Sequence, residues 1–288
     1  MPEASDIIAG LGCWSGRVTI APLAGGLTNR NYRVDDAAGS HVVRLGADIP
    51  HHHILRFNEL AASRAAASAG ISPEVEHAEP GILVTRFVTG ETLTPERVRQ
   101  QAPRVLALVR RVHHEMPAHL RGPVLAFWVF HVLRDYAHAL EGRRPAAELA
   151  GLLGRAAQLE AAVGLVELVL GHNDLLAANF IDDGQRLWLV DWDYAGFNSP
   201  LFDLGGLASN NGFSAAEEAA MLEAYFGSPP SADLSRRCAA MKAASLLRET
   251  MWSMVSEIHS TLDFDYAAYT DENLRRFEGA WDDFQRMP

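Results

Sequence analysis

Lysine is almost absent: Lys242 is the only one in 288 residues, and every other basic side chain apart from histidine is arginine. Chemistry that needs a lysine amine must use Lys242 or do without one. Cysteine is nearly as scarce. Cys13 and Cys238 make neither a disulfide framework nor a metal-ligand set, so a reducing compartment is expected. No long apolar run exists either. The longest, Pro123 to Phe130, is too short for a bilayer, and no membrane insertion is expected. The Met-Pro-Glu-Ala start lacks the basic and apolar regions of a secretory signal, which points to the cytoplasm. Positive charge is also in deficit, with 25 Lys+Arg against 36 Asp+Glu and a net charge of −11. That balance argues against a nucleic-acid partner, which needs cations for its phosphates.

What is present is ordinary globular composition, 48% apolar and 21% charged, in a chain long enough for one large domain or two lobes. The first ninety residues read as strands around one helix. Strands are expected at Arg17 to Pro22, Tyr32 to Val34, His41 to Leu45, Glu74 to Ala78 and Ile82 to Phe87. A helix is expected from Ile54 to Ala69, stopped by Gly70 with Pro73 beyond. After Gly90 the pattern turns helical. Thr94-Pro95-Glu96 reads as a capped start. Apolar periodicity then continues over Val98 to His114, Ala126 to Leu140, Pro145 to Val166, Ala215 to Phe226 and Asp233 to Thr261. A β-rich island between Leu168 and Asp203 interrupts it. The expected organisation is α+β and two-lobed: residues 1–89 form a small β-rich lobe and 90–288 a larger helical one.

The island carries the chemistry. In GHNDLLAANFIDDGQRLWLVDWDY, Asp174 and Asn179 stand five apart, and Asp191 follows at the end of LWLV. Gly184 supplies a turn that folds the second strand back and brings Asp191 beside Asn179. A carboxylate that accepts a hydroxyl proton, next to an amide oxygen and a second carboxylate able to hold Mg²⁺ on ATP phosphates, suits phosphoryl transfer. The plain alternative is a loop acid and a strand-end acid making caps. Charge follows the same map. Gly171 to Asp203 holds six acids and one arginine, Glu249 to Met287 nine acids and three arginines, and together they carry the entire net charge.

From AGGLTNRNYRV through VVRL, the Glu59 helix, GISPEV, GHNDLLAANF and VDWDYAGFNSPLFDL to the Trp252 helix, the chain resembles the protein-kinase-like small-molecule phosphotransferases. These include the aminoglycoside and choline/ethanolamine kinases. The resemblance implies a protein-kinase-like fold with ATP and Mg²⁺ as cofactors. It makes Asp174 the catalytic base, Asn179 and Asp191 the metal ligands, and His172 and Asp203 braces of the catalytic loop. Arg44 stands where a phosphate-binding lysine is usual; choline kinases resemble this chain in using arginine there, which would contact the α/β-phosphates and pair with Glu59. Paired glycines in AGGLTNRN allow close approach to phosphates, so Gly26, Thr28 and Asn29 are expected at the nucleotide. Phe87 and Val88 of the hinge TRFVTG would offer backbone groups to adenine.

Three details lean to the choline/ethanolamine kinases: Arg44, the block DWDYAGFNSPLFDL, and the late segment RETMWSMVSEIHSTLDFDYAAY. In the block, Asp193 replaces the family's usual Glu. The late segment is similar to the helix and following loop that build a choline pocket, and the tail beyond Tyr269 reads as a solvated helix. A quaternary ammonium has no N–H to donate and is held on aromatic faces near acids. Tyr194, Trp252, Tyr266 and Tyr269, with Glu249, supply those parts. Choline kinases of eukaryotes carry an aromatic residue where this helix has Glu249, so ethanolamine or another small cationic alcohol also fits. The expected partner is a small alcohol, cationic by this pattern; rivals are an aminoglycoside, thiamine or sugar acceptor, or a catalytically silent nucleotide-binding module. His51-His52-His53 reads as a solvated approach to the Glu59 helix rather than a metal site. His113-His114 reads as an exposed helix end. Ser253 and Cys238 have no histidine partner in sequence and suggest no nucleophile.

Overall fold

The computed structural model describes residues 3–23 and 29–288. Gly26 and Thr28 lie outside them. Helix α1 (Ala4–Ala9) precedes strands β1 (Thr19–Leu23), β2 (Arg30–Asp35) and β3 (Ser40–Leu45). Helix α2 (Arg56–Ser68) follows, then β4 (Val75–Glu79) and β5 (Ile82–Arg86). The five strands form one antiparallel sheet in the order β1-β2-β3-β5-β4. Strand alternation decides what this sheet offers. On β3, His41, Val43 and Leu45 turn inward and Val42 and Arg44 face the interlobe cleft. The inward face packs with Ile8, Leu11, Val34 and Val84 into a small separate core. Helix α1, which the sequence pattern does not announce, supplies Ile8 and closes that core.

The larger lobe begins with β6 (Glu91–Thr92), α3 (Pro95–Gln100), α4 (Ala102–His114), α5 (Val129–Ala139) and α6 (Ala146–Val163). The run expected over Val98 to His114 is two helices. Pro103 in the first turn of α4 has no N–H to continue an α3 ladder, so the chain breaks at Gln101. Next come β7 (Val169–Gly171), β8 (Phe180–Asp182), β9 (Leu187–Leu189) and β10 (Gly196–Asn198). Gly184, at φ 87°, makes the β8–β9 turn as the sequence predicts.

Helices α7 (Pro200–Asn211), α8 (Ala215–Phe226), α9 (Ala232–His259) and α10 (Tyr266–Arg286) complete the lobe. The sequence pattern gives no sign of α7, because PLFDLGGLASNN is buried almost all round and shows no amphipathic stripe. A Cβ on its Gly205 would sit 2.7 Å from the Lys242 backbone N, so α7 and α9 touch backbone to backbone. The 28-residue α9 is the axis of the lobe, packed by α5, α6, α7 and α10. Helix α10 corrects the expectation of a loop and a solvated tail: it starts at Tyr266 and buries Phe277, Ala280 and Phe284 against α9. Among the described residues, no helix is long and apolar enough to cross a membrane.

Two contacts fix α2 and its approach to the helical lobe. Asn58 donates to the Ala195 carbonyl (2.7 Å) and accepts from the Leu125 N–H (3.0 Å). His52, expected in solvent, is buried between Tyr136 and Trp252 and bonds Ser256 Oγ (3.0 Å). Sequence reasoning misplaced it because its partners lie on α5 and α9, far along the chain.

Candidate active site

The hairpin β8–β9 brings Asn179 and Asp191 together, and the Val190 N–H donates to the Asn179 carbonyl at 3.0 Å. The Asn179 amide donates to the Asp174 carbonyl (2.9 Å), tying the loop's two ends. Asn173 and Asp191 adopt left-handed backbone, φ 64° and 71°. Each such residue stores about 1 kcal/mol of strain, which the surrounding contacts must hold. Asp203, in the first turn of α7, accepts the backbone N–H groups of His172 (2.8 Å) and Asn173 (2.7 Å). His113 Nε2 bonds Asp203 at 2.9 Å and its Nδ1 meets Tyr225 Oη at 2.6 Å. His113 is therefore a buried brace, not part of an exposed helix end; only His114 is exposed. Burial alone would raise the Asp203 carboxyl, but His113 and the two N–H donors hold it below the ordinary range. His172 Nε2 donates to the Val190 carbonyl (3.0 Å), and burial pushes its pKa down.

Arg44 reaches from β3 across the cleft. Its Nη1 lies 2.6 Å from Glu59, 2.9 Å from Asp191 and 3.0 Å from Asp193. Arg56, one turn before Glu59, binds Glu59 (2.6 Å) and Asp193 (2.8 Å) with its own Nη1. Asn29 accepts from Arg56 (2.6 Å) and donates to Asp193 (2.9 Å). Two guanidinium groups thus share three carboxylates. Burial opposes the charge on Arg44, but Asp191, Asp193 and Glu59 keep it protonated well above its ordinary value. Burial pushes Glu59 up against the pull of Arg44. Arg56 and Asp193 escaped the sequence reading of this network; the i,i+3 spacing of Arg56 and Glu59 was the available signal.

Arg44, Glu59, Phe87, Val88, Asn179 and Asp191 all line one interlobe cavity of about 460 Å³. It has the size of a small-ligand site. The Phe87 N–H is committed to the Ser40 carbonyl at 2.9 Å. Asn179 and Asp191 bring hard oxygen donors to one wall, a set that suits Mg²⁺.

Beyond Asp174 lies a second group. Its side chain is 19% exposed, and Arg248 Nη2 stands 3.7 Å from its carboxyl. Burial pushes Asp174 up to about 8; Arg248 pulls it down, and Glu249, Asp191 and Asp193 add to the rise. Arg248, on α9, is buried; it binds Glu249 (2.9 Å) and lies 4.8 Å over the Tyr194 ring. Tyr269 Oη donates to Glu249 at 2.7 Å. Trp252 stacks on His52 (4.9 Å) and meets Tyr266 and Tyr269 at 6.1 and 6.5 Å. Tyr266 bonds Ser260 Oγ at 2.9 Å. The structure thus brings Glu249, Trp252, Tyr266 and Tyr269 into one cluster and joins Tyr194 to it through Arg248. Sequence reasoning missed Arg248; an arginine inside an otherwise apolar stretch of helix, beside Glu249, was the signal.

Residues 19–238 match the model of the phosphotransferase enzyme family (APH). Among curated relatives, Protein LicA of Haemophilus influenzae is 25% identical over 279 residues, spanning 92% of this chain and 79% of its own. Ethanolamine kinase 2 of Mus musculus is 26% identical over 279 residues, spanning 85% and 71%. A solved choline/ethanolamine kinase family protein from Mesorhizobium loti superposes with a TM-score of 0.79 at 31% identity, over 99% of this chain and 94% of that one. With its kinase-like lobes and the loop, hairpin and cleft described above, this chain belongs to the phosphotransferase enzyme family, in its choline/ethanolamine kinase branch.

Proposed function

We propose that the protein transfers the γ-phosphoryl group of ATP to the hydroxyl of a small amino alcohol of the choline/ethanolamine type. One observation carries this reading. The Asp174 carbonyl is bonded by Asn179, which lines the cavity with Asp191, and the Asp174 carboxyl faces Arg248 and so the aromatic cluster bearing Glu249. A carboxylate placed at the meeting of the two can accept the acceptor's hydroxyl proton in the transition state. The acceptor's hydroxyl oxygen bonds to the γ-phosphorus as its proton passes to an Asp174 oxygen, and the bond to ADP breaks in line.

Arg44 would present its fork to the α/β-phosphates, and the Val88 N–H would meet the adenine edge. Asn179 and Asp191 would hold Mg²⁺, which when bound offsets charge on the phosphates. Asn29, tied to Arg56 and Asp193, would steady the strand entering the phosphate loop. Residues 1–89 serve as the nucleotide lobe and 90–288 as the acceptor lobe. Dependence on ATP, and two free thiols, suit a reducing cytoplasm. The decisive experiment is coupled ADP release with choline, ethanolamine, thiamine and several aminoglycosides. Turnover confined to aminoglycosides or thiamine would overturn the amino-alcohol assignment.

A further inference from the structure

The cluster beyond Asp174 differs from a cage for a bare cation in one respect: it already contains a cation. Arg248 is only 4% exposed, and its guanidinium lies over Tyr194 at 4.8 Å and Phe127 at 6.0 Å. Its Nη1 takes one oxygen of Glu249 at 2.9 Å, while Tyr269 Oη takes the other at 2.7 Å. Its Nη2 rests on the Asn173 carbonyl at 3.4 Å. One face of Trp252 is also covered, by His52 stacked at 4.9 Å. Aromatic faces and a free carboxylate are what hold a quaternary ammonium. Here Arg248 occupies the Tyr194 face and the Glu249 carboxylate.

Hydrogen-bonding atoms nearby remain unpaired. The hydroxyls of Tyr136 and Tyr194 are buried without a partner among the described residues. Tyr136 lies within electrostatic reach of Arg248, Glu249 and Tyr194. Phenol oxygens accept N–H bonds, and the Asp174 carboxylate does so more strongly. A primary ammonium brings three such donors; a trimethylammonium brings none.

We propose that Arg248 is the specificity-determining residue of the acceptor site, filling the aromatic and acidic seat so that a primary amino alcohol is selected over its quaternary counterpart. The proposal rests on the phosphotransfer reading above. It places the discrimination in one side chain of α9 that does not line the interlobe cavity bearing Asn179 and Asp191. Glu249 becomes the holder of Arg248 rather than the direct counter-ion of the substrate.

The test is ADP release with ethanolamine, N-methylethanolamine, N,N-dimethylethanolamine and choline, for the natural protein, Arg248→Gln and Arg248→Lys. In the natural protein kcat/KM should fall with each methyl, by about 100-fold over the series. Arg248→Gln frees Glu249 and the Tyr194 face, and should bring ethanolamine and choline within about threefold, mainly through a lower KM for choline. Arg248→Lys keeps a charge on Glu249 but has no plane to stack, so its ratio should fall between the two. Thermal melts check folding; if Arg248→Gln does not fold, the natural series and Arg248→Lys decide. Choline used as well as ethanolamine by the natural protein, or an unchanged ratio in a folded variant, would overturn the proposal alone. ADP release with none of the four would overturn the phosphotransfer reading and the proposal together.

Discussion

At the scale of single residues, Arg44 draws three carboxylates onto one nitrogen. Its guanidinium meets Glu59 from α2 and Asp191 and Asp193 from the segment after β9. All three contacts use Nη1, so Nε and Nη2 can still donate to phosphate, whereas an ammonium would spend its three donors on the carboxylates. Arg44→Lys should therefore raise KM for ATP by about tenfold and lower kcat as well, measured in the ADP-release assay. Asp174→Asn removes the proton acceptor at constant volume and should cut kcat by about 10³-fold while ATP binding persists. A variant retaining more than a few per cent of activity would sink the base assignment.

His52 gives a residue-scale prediction about pH. Burial, with His51 and Arg248 nearby, pushes its imidazole down to about 2, so the folded protein holds it neutral. Once pH falls below the ordinary histidine value of about 6.5, only the unfolded chain takes up that proton, and stability drops by about 1.4 kcal/mol per unit from this group. The contribution is fully present above that pH and lost below it. Urea midpoints should fall between pH 7 and pH 5.5. His52→Phe keeps the ring between Tyr136 and Trp252, loses the Ser256 bond, and should flatten that pH dependence.

Elements were legible where their signal was local. Asp174, Asn179 and Asp191 could be placed together because one hairpin, turned by Gly184, holds them within eighteen residues of one another. Thr94 and Pro95 announced α3, and the Thr94 hydroxyl does accept the Arg97 N–H. Legibility failed where packing, not pattern, decides. Helix α7 is buried on every side, and Arg248 finds its meaning only through Tyr194, 54 residues earlier. Tyr136 of α5 joined that neighbourhood through no motif at all. The α7–α9 contact yields its own prediction. Gly205→Ala would force a Cβ to within 2.7 Å of the α9 backbone and should cost about 2 kcal/mol in chemical denaturation. Because α9 carries Arg248, activity should fall further than stability alone accounts for.

For the molecule as a whole, the charge deficit has a location. Gly171 to Asp203 and Glu249 to Met287 carry the full net charge of −11, and the first of them holds the proposed metal ligands. Mg-ATP should then raise the melting temperature, by an amount equivalent to about 2.7 kcal/mol at a hundredfold excess over Kd. EDTA, or Asp191→Asn, should remove most of that increase. An equal shift with ATP alone would count against the metal role.

The anchoring of α2 redraws the mechanical boundary between the lobes. Asn58 clamps the helix to the Ala195 and Leu125 backbone, and His52 plugs its approach into the gap between α5 and α9. Although α2 sits within the first ninety residues, these contacts should carry it with the helical lobe. A cleft that opens for nucleotide must then do so by flexing the five-stranded sheet over a stationary α2, stretching the Arg44–Glu59 contact on each cycle. Amide exchange should accordingly be faster at strands β1 and β2, far from the α2 anchor points, than along α2 itself.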